Sequence, residues 1–158
     1  MKALSILQPW ATLILWGAKR TENRKWRRAP TYRGPLVIHT GKGWHYGFES
    51  RDADGPMSPE EDLAVEVLDH IADGRDWKRL LPRGGLLGVV NLTDAAYYSD
   101  RPLGWWHEPG CLGLYLTDPQ PFPELIPWRG QLAFFDVPDD VVDVPLPSNP
   151  QSQIQNPK

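Results

Sequence analysis

Residues 85–137 read GLLGVVNLTDAAYYSDRPLGWWHEPGCLGLYLTDPQPFPELIPWRGQLAFFDV, and this stretch decides the fold. Leu86 to Thr93 is mostly apolar, Leu112 to Thr117 is a second such run, and Gln131 to Val137 a third. Each is strand-length and bounded by turn formers: Ser99-Asp100-Arg101-Pro102, Asp118-Pro119 and Arg129-Gly130. Short strands in succession predict a closed or partly closed barrel.

Working outward, Lys2 to Leu7 reads as a further strand. Pro9 fits the first position of a helix, where a missing N–H costs nothing. Trp10, Leu13 and Ile14 follow at helical spacing, and Gly17 is a natural stop. Lys19 to Trp26 is extended and charged, Arg27 to Arg33 is turn-rich, and Pro35 to His39 is a strand with a buried face. Gly41 to Pro56 is Gly-rich and irregular, with aromatics at Trp44, Tyr46 and Phe48. Ser58, Pro59 and Glu61 then form a capping box. The helix that follows carries an apolar stripe of Leu63, Val67, Leu68, Ile71 and Ala72, and ends at Gly74. After Val137 the chain is polar and Pro-rich, and residues 144–158 are predicted to be disordered. The prediction is therefore an α+β domain over residues 1–137, with a mixed β-barrel of about five to six strands and flanking helices. Residues 44–83 form an insertion with an acidic helix, and residues 138–158 a tail.

Composition narrows the function classes. At 158 residues the chain is one ordinary domain. It has no apolar run near the ~20 residues of a membrane span. The apolar start is broken at Gln8-Pro9 and lacks a small-residue cleavage site after Trp16, so it reads as folded sequence. A lone cysteine, Cys111, fits a reducing compartment, and a cytoplasmic monomer is expected. The net charge of −3 argues against a protein that coats DNA. Charge is unevenly placed, however. Lys19 to Arg33 holds seven basic residues against Glu22, whereas Glu49 to Asp76 holds ten acids against Arg51 and Arg75. A basic stripe on an acidic body suits contact with a phosphate or two, not a long track along a duplex. Eight tryptophans serve a core and a base-stacking surface equally well.

Lys19, Glu22 and Arg24 form the sharpest constellation. In a regular strand Glu22 and Arg24 share a face, and the irregular backbone after Gly17 can turn Lys19 in beside Glu22. A carboxylate between two cations can accept hydrogen bonds from the edge of an amino-pyrimidine or guanine. The competing reading is an ordinary surface ion pair. Gln8 can hydrogen-bond a ligand, and Trp10 serves either as a stacking wall or as core. His39 reads as a hydrogen-bonded strand residue. Lys42, after the strand and Gly41, can approach a phosphate, although P-loop spacing is absent. The four histidines and Cys111 show no metal-ligand spacing, no cofactor is implied, and no serine-nucleophile motif is present.

Three segments together resemble the activating signal cointegrator homology (ASCH) family of the PUA-like superfamily. Residues 2–24, KALSILQPWATLILWGAKRTENR, resemble its S-x-x-Q-P-W-A helix followed by G-x-K-x-x-E-x-R. Residues 32–42, YRGPLVIHTGK, are similar to its Y-R-G-P-x-x-I-H-x-G-K strand and turn, and residues 85–137 to its terminal strands. The resemblance implies a PUA-like barrel with a cleft between the first helix and the sheet. It implies a nucleic-acid-binding domain that recognises a nucleobase or modified nucleoside, with RNA as the expected partner and DNA the alternative. Its loop tryptophan matches Trp105, so the implied ligand set is Gln8, Trp10, Lys19, Glu22, Arg24, Lys42 and Trp105. Some family members are amidohydrolases on acetylated cytidine that use a lysine, a threonine three residues later and a distant glutamate. Lys19 matches that lysine, but Glu22 occupies the threonine position, and Glu108 is the nearest match for the distant glutamate. The alternative is therefore a hydrolase on acylated cytidine, or a ribonuclease, with Lys19 and Glu22 catalytic. A third reading makes the acidic helix from Pro59 to Asp73 a protein-contact surface.

Overall fold

Six strands form one sheet in the order β2-β5-β4-β3-β1-β6, in a computed structural model that describes residues 1–45 and 59–142. β1 (Lys2–Gln8) buries Ala3, Leu4 and Ile6 and is followed by α1 (Trp10–Leu15). Pro9 occupies the cap position just before α1, and Gly17, at φ +76°, ends the turn that follows it. β2 (Thr21–Arg24) comes next, then β3 (Gly34–Trp44), which runs parallel to β1. The intervening helix and edge strand supply the crossover that a parallel pair needs. β4 (Gly85–Tyr97), β5 (Leu112–Pro127) and β6 (Phe134–Asp136) complete the sheet with antiparallel pairings.

The strands are longer than their sequence signals. Gly41 to Trp44, expected to be irregular, continues β3. Asp118-Pro119, expected to be a turn, lies within β5, where Asp118 takes φ +51° and the chain goes on to pair with β4 as far as Gly85. Conversely, only Phe134 to Asp136 of the run from Gln131 to Val137 is strand. Three register shifts along β4 and β5 bend the sheet. The bend brings the edges towards each other. Arg24 of β2 donates from Nη2 to the Ser5 carbonyl of β1 at 2.6 Å, and the Trp26 and Phe134 rings meet edge to face at 5.3 Å. The sheet is thus open in hydrogen-bond order yet barrel-like in form, α+β as predicted.

Among the described residues between β3 and β4 are the helices α2 (Pro59–Ala72) and the short α3 (Trp77–Leu80). Ser58 of the expected capping box, Tyr46, Phe48 and residues 143–158 lie outside the described residues. Of the tail expected from residue 138, residues 138–142 are described, with a 3-10 turn at Asp139–Val141 and Val142 buried in a cluster with Ala3 and Phe135. The buried face of α2 is Ala64, Leu68 and Ala72, whereas Leu63 is exposed. Of the predicted stripe, Leu68 and Ala72 are buried and Val67 and Ile71 half-buried; the correction is at Leu63, whose place on the face Ala64 takes. The alanines let α2 approach α1, and the two share a cluster with Leu13, Trp77 and Trp106. Among the described residues no helix is long and apolar enough to cross a membrane.

Candidate functional site

After α1 the turn at Gly17 reverses the chain, and Lys19 points inward. Its Nζ reaches Glu22 Oε2 at 3.1 Å, donates to the Thr21 carbonyl, and stands 5.6 Å from the Trp10 ring centre. Lys19 is 4% exposed and Glu22 7%. Glu22 turns its other oxygen to Arg24 Nη2 at 3.2 Å. A pair this dry is maintained only because each charge is matched by its neighbour.

Facing β2 is the loop between β4 and β5, fixed by side chains on both sides. Asn23 donates from Nδ2 to the Trp106 carbonyl at 2.8 Å and accepts from the Glu108 N–H at 3.0 Å. Thr21 donates its hydroxyl to the Leu103 carbonyl. His107 accepts from the Leu103 N–H at Nδ1, 2.9 Å, so its proton sits on Nε2 and goes to the Cys111 carbonyl at 3.0 Å. The ring lies against Gly113, where a Cβ would come within 2.8 Å of it. Trp106 is held by an indole N–H bond to the Ala18 carbonyl at 2.9 Å.

Between these elements is a cavity of about 810 Å³, with Lys19 and Glu22 among its lining residues and Trp10, Trp106 and His45 as aromatic walls. Such a volume lies within the range of small-molecule sites. The Trp10 and Trp106 rings are 6.0 Å apart at 68° to each other. They are not a parallel clamp: a planar guest lies flat on one and meets the other edge-on. Glu60 and Glu61, from the start of α2, and Glu108 also line the cavity, so with Glu22 its described lining residues include four carboxylates against Lys19 and Lys25. Such a cavity favours a guest that offers hydrogen-bond donors over a phosphate.

The seven residues expected to hold ligand are not all brought together. Trp10, Lys19 and Glu22 line the cavity. Arg24 stands behind Glu22, tied to the Ser5 carbonyl. Gln8 is fully buried, and its amide is spent on the Pro82 carbonyl and the Thr12 N–H. Trp105 is exposed and leans edge-on against Trp106, which takes the wall position expected of it. Lys42 lines a second cavity. Asn23, His45 and Glu60 were not anticipated. Of these, Asn23 had a signal, since it lies inside the TENR run that drew attention to Glu22 and Arg24. Among the described residues no group of three or more His, Cys, Asp or Glu could hold a metal.

Burial pushes the imidazoles of His39 and His45 below their usual range. The Trp128 carbonyl partly opposes this at His39, and Glu61, Glu108 and Glu22 partly oppose it at His45. Between those lowered values and about 6.5, the unfolded chain binds more protons than the folded one. Stability is therefore full above about pH 6.5 and declines as pH falls below it. The expected result is a melting temperature that drops from about pH 7.5 to about pH 5.5, with a smaller drop in His45→Gln. A profile identical in wild type and variant would contradict this.

Of the three segments singled out in the sequence, comparison with known proteins places the second, nearly all of the first and the third as far as residue 117 in one family model. The ASCH domain model matches residues 4–117, which include β1, α1, β2 and the loop of Trp106. Human activating signal cointegrator 1 is 31% identical over 93 residues, covering 58% of this chain and 14% of that protein. The mouse protein of the same name is 32% identical over the same coverage. The chain thus corresponds to a small part of the length of these relatives.

Proposed function

We propose that this chain, which belongs to the ASCH domain family, binds a nucleobase, in RNA and as part of a modified nucleoside, in the cavity above Lys19 and Glu22. The observation that carries this reading is the buried Lys19–Glu22 pair facing a cavity with tryptophan walls. The base lies on one indole, a contact worth about 1–3 kcal/mol. Its edge donates to Glu22 and accepts from Lys19. The excess of carboxylates keeps the sugar-phosphate outside and admits the neutral base.

Calorimetric titration with cytidine, N4-acetylcytidine, guanosine, uridine and a short single-stranded RNA tests this. Glu22→Gln keeps the shape but replaces a charged acceptor, so the best ligand should lose roughly 10–100-fold in affinity, as for a lost hydrogen bond to a charged group. Unchanged affinity in both Glu22→Gln and Lys19→Met would remove the site from consideration. The same samples test hydrolysis. The Thr21 hydroxyl is committed to Leu103, which leaves no threonine nucleophile beside Lys19. Acetate release from N4-acetylcytidine that disappears in Lys19→Met would replace binding with catalysis.

A further inference from the structure

Lys42, expected near a phosphate, lines a cavity that includes neither Lys19 nor Glu22. That cavity has a volume of about 760 Å³ and lies where β1 and β3 meet the loop between β5 and β6. Its charged lining residues are Lys42 and Arg129, both exposed, and no carboxylate is among its described lining residues. Arg83 adds a third cation nearby, donating to the Lys42 carbonyl at 3.2 Å with its guanidinium 5.3 Å from the Trp44 ring centre. The contrast with the carboxylate-rich first cavity is sharp, and the two select opposite chemistry.

The loop that carries Arg129 is fixed on both sides of it. Buried His39 meets the Trp128 carbonyl at Nε2, 3.1 Å, and Ser5 Oγ at Nδ1, 3.0 Å. A carbonyl only accepts, so Nε2 carries the proton there. Ser5 Oγ also lies 3.1 Å from the Gln131 carbonyl. Gly130 lies so close that a Cβ there would collide with the His39 ring and come within 2.8 Å of Ser5 Oγ. Arg129 is therefore presented from a backbone already fixed, which lowers the ordering cost of binding. Lys42 and His45, which lines the first cavity, are three residues apart, about 10 Å of extended chain.

The geometry points to the second cavity as a phosphate site for the backbone of a nucleic-acid strand, held by Lys42 and Arg129 with Arg83 alongside. Its place beside the first cavity rests on the nucleobase reading above, but the phosphate contact stands on its own residues. The test uses the full chain and a short abasic ribose-phosphate oligomer, which has no base for the first cavity. The oligomer should bind wild type, lose at least tenfold in Lys42→Ala/Arg129→Ala, and be indifferent to Glu22→Gln. Its log affinity against log salt should flatten by roughly 1.4 in the double variant, two contacts at about 0.7 each. The imidazole resonances of His39 should shift on adding the oligomer to wild type and stay fixed in the double variant. Both substituted side chains are exposed, so the double variant should keep the wild-type fold. No binding to wild type, or equal affinity and salt slope in the double variant, overturns the proposal. If nucleosides fail to bind while the oligomer behaves as described, the nucleobase reading fails and the phosphate site stands.

Discussion

Glu22→Leu is expected to cost about 3–5 kcal/mol of unfolding free energy, the penalty of leaving a buried charge without its partner. Lys19 would keep only the Thr21 carbonyl and the Trp10 face, in a place that is 4% open to water. Arg24 is more exposed and retains the Ser5 carbonyl, so most of the cost falls on Lys19. Against a typical total of about 5–15 kcal/mol, this is a large share. Removing both charges together, in Lys19→Met/Glu22→Leu, should recover most of it, because neither side chain then needs a partner. Urea unfolding of the three proteins at constant m decides the matter. A single variant within about 1 kcal/mol of wild type would show that water reaches the pair and that burial does not govern it.

His107→Ala should cost about 3 kcal/mol, because it strands the Leu103 N–H, leaves the Cys111 carbonyl with the Tyr98 N–H alone, and opens a ring-sized void. Gly113→Ala should cost about 1–3 kcal/mol for the opposite reason, since its methyl would lie within 2.8 Å of the same imidazole. The backbone at Gly113 is not in the left-handed region, so the cost is one of space alone. In the double variant the methyl enters the void. The combined loss should then fall short of the sum by about 1 kcal/mol. Strict additivity in the unfolding measurements would mean that ring and glycine do not share one space. The result bears on function, because this packing holds the loop that presents Trp106.

Local pattern and distant pairing account for what the sequence disclosed. β1 and α1 were legible because alternation gives way to helical spacing between a proline and a glycine. The second half of β5, Asp118 to Pro127, contains four prolines and reads as punctuation; its strand character comes from β4 beside it, a partner more than twenty residues away. On α2, Leu68 and Ala72 were legible, and Ala64 was passed over for Leu63 because leucine outweighs alanine on any hydrophobic count. Close approach to α1 selects the small side chains instead. In the site, Lys19 and Glu22 could be picked out by the resemblance of residues 17–24 to the family's G-x-K-x-x-E-x-R motif, since their position after the helix stop alone reads as well as a surface ion pair. Glu60 and His45 could not, since only the docking of α2 and the course of β3 bring them to the same cavity. Trp105 and Trp106 are adjacent and chemically identical. What separates them is the bond from Trp106 to the Ala18 carbonyl, which no spacing rule reveals.

Arg24 grips the first strand from the far edge of the sheet while it also neutralises Glu22. One guanidinium thus acts as both clasp and counter-ion. Losing the arginine would remove both at once, whereas losing the acid at position 22 would leave the clasp on the Ser5 carbonyl in place. At position 24, therefore, the joining of the two edges and the balance of buried charge fail together.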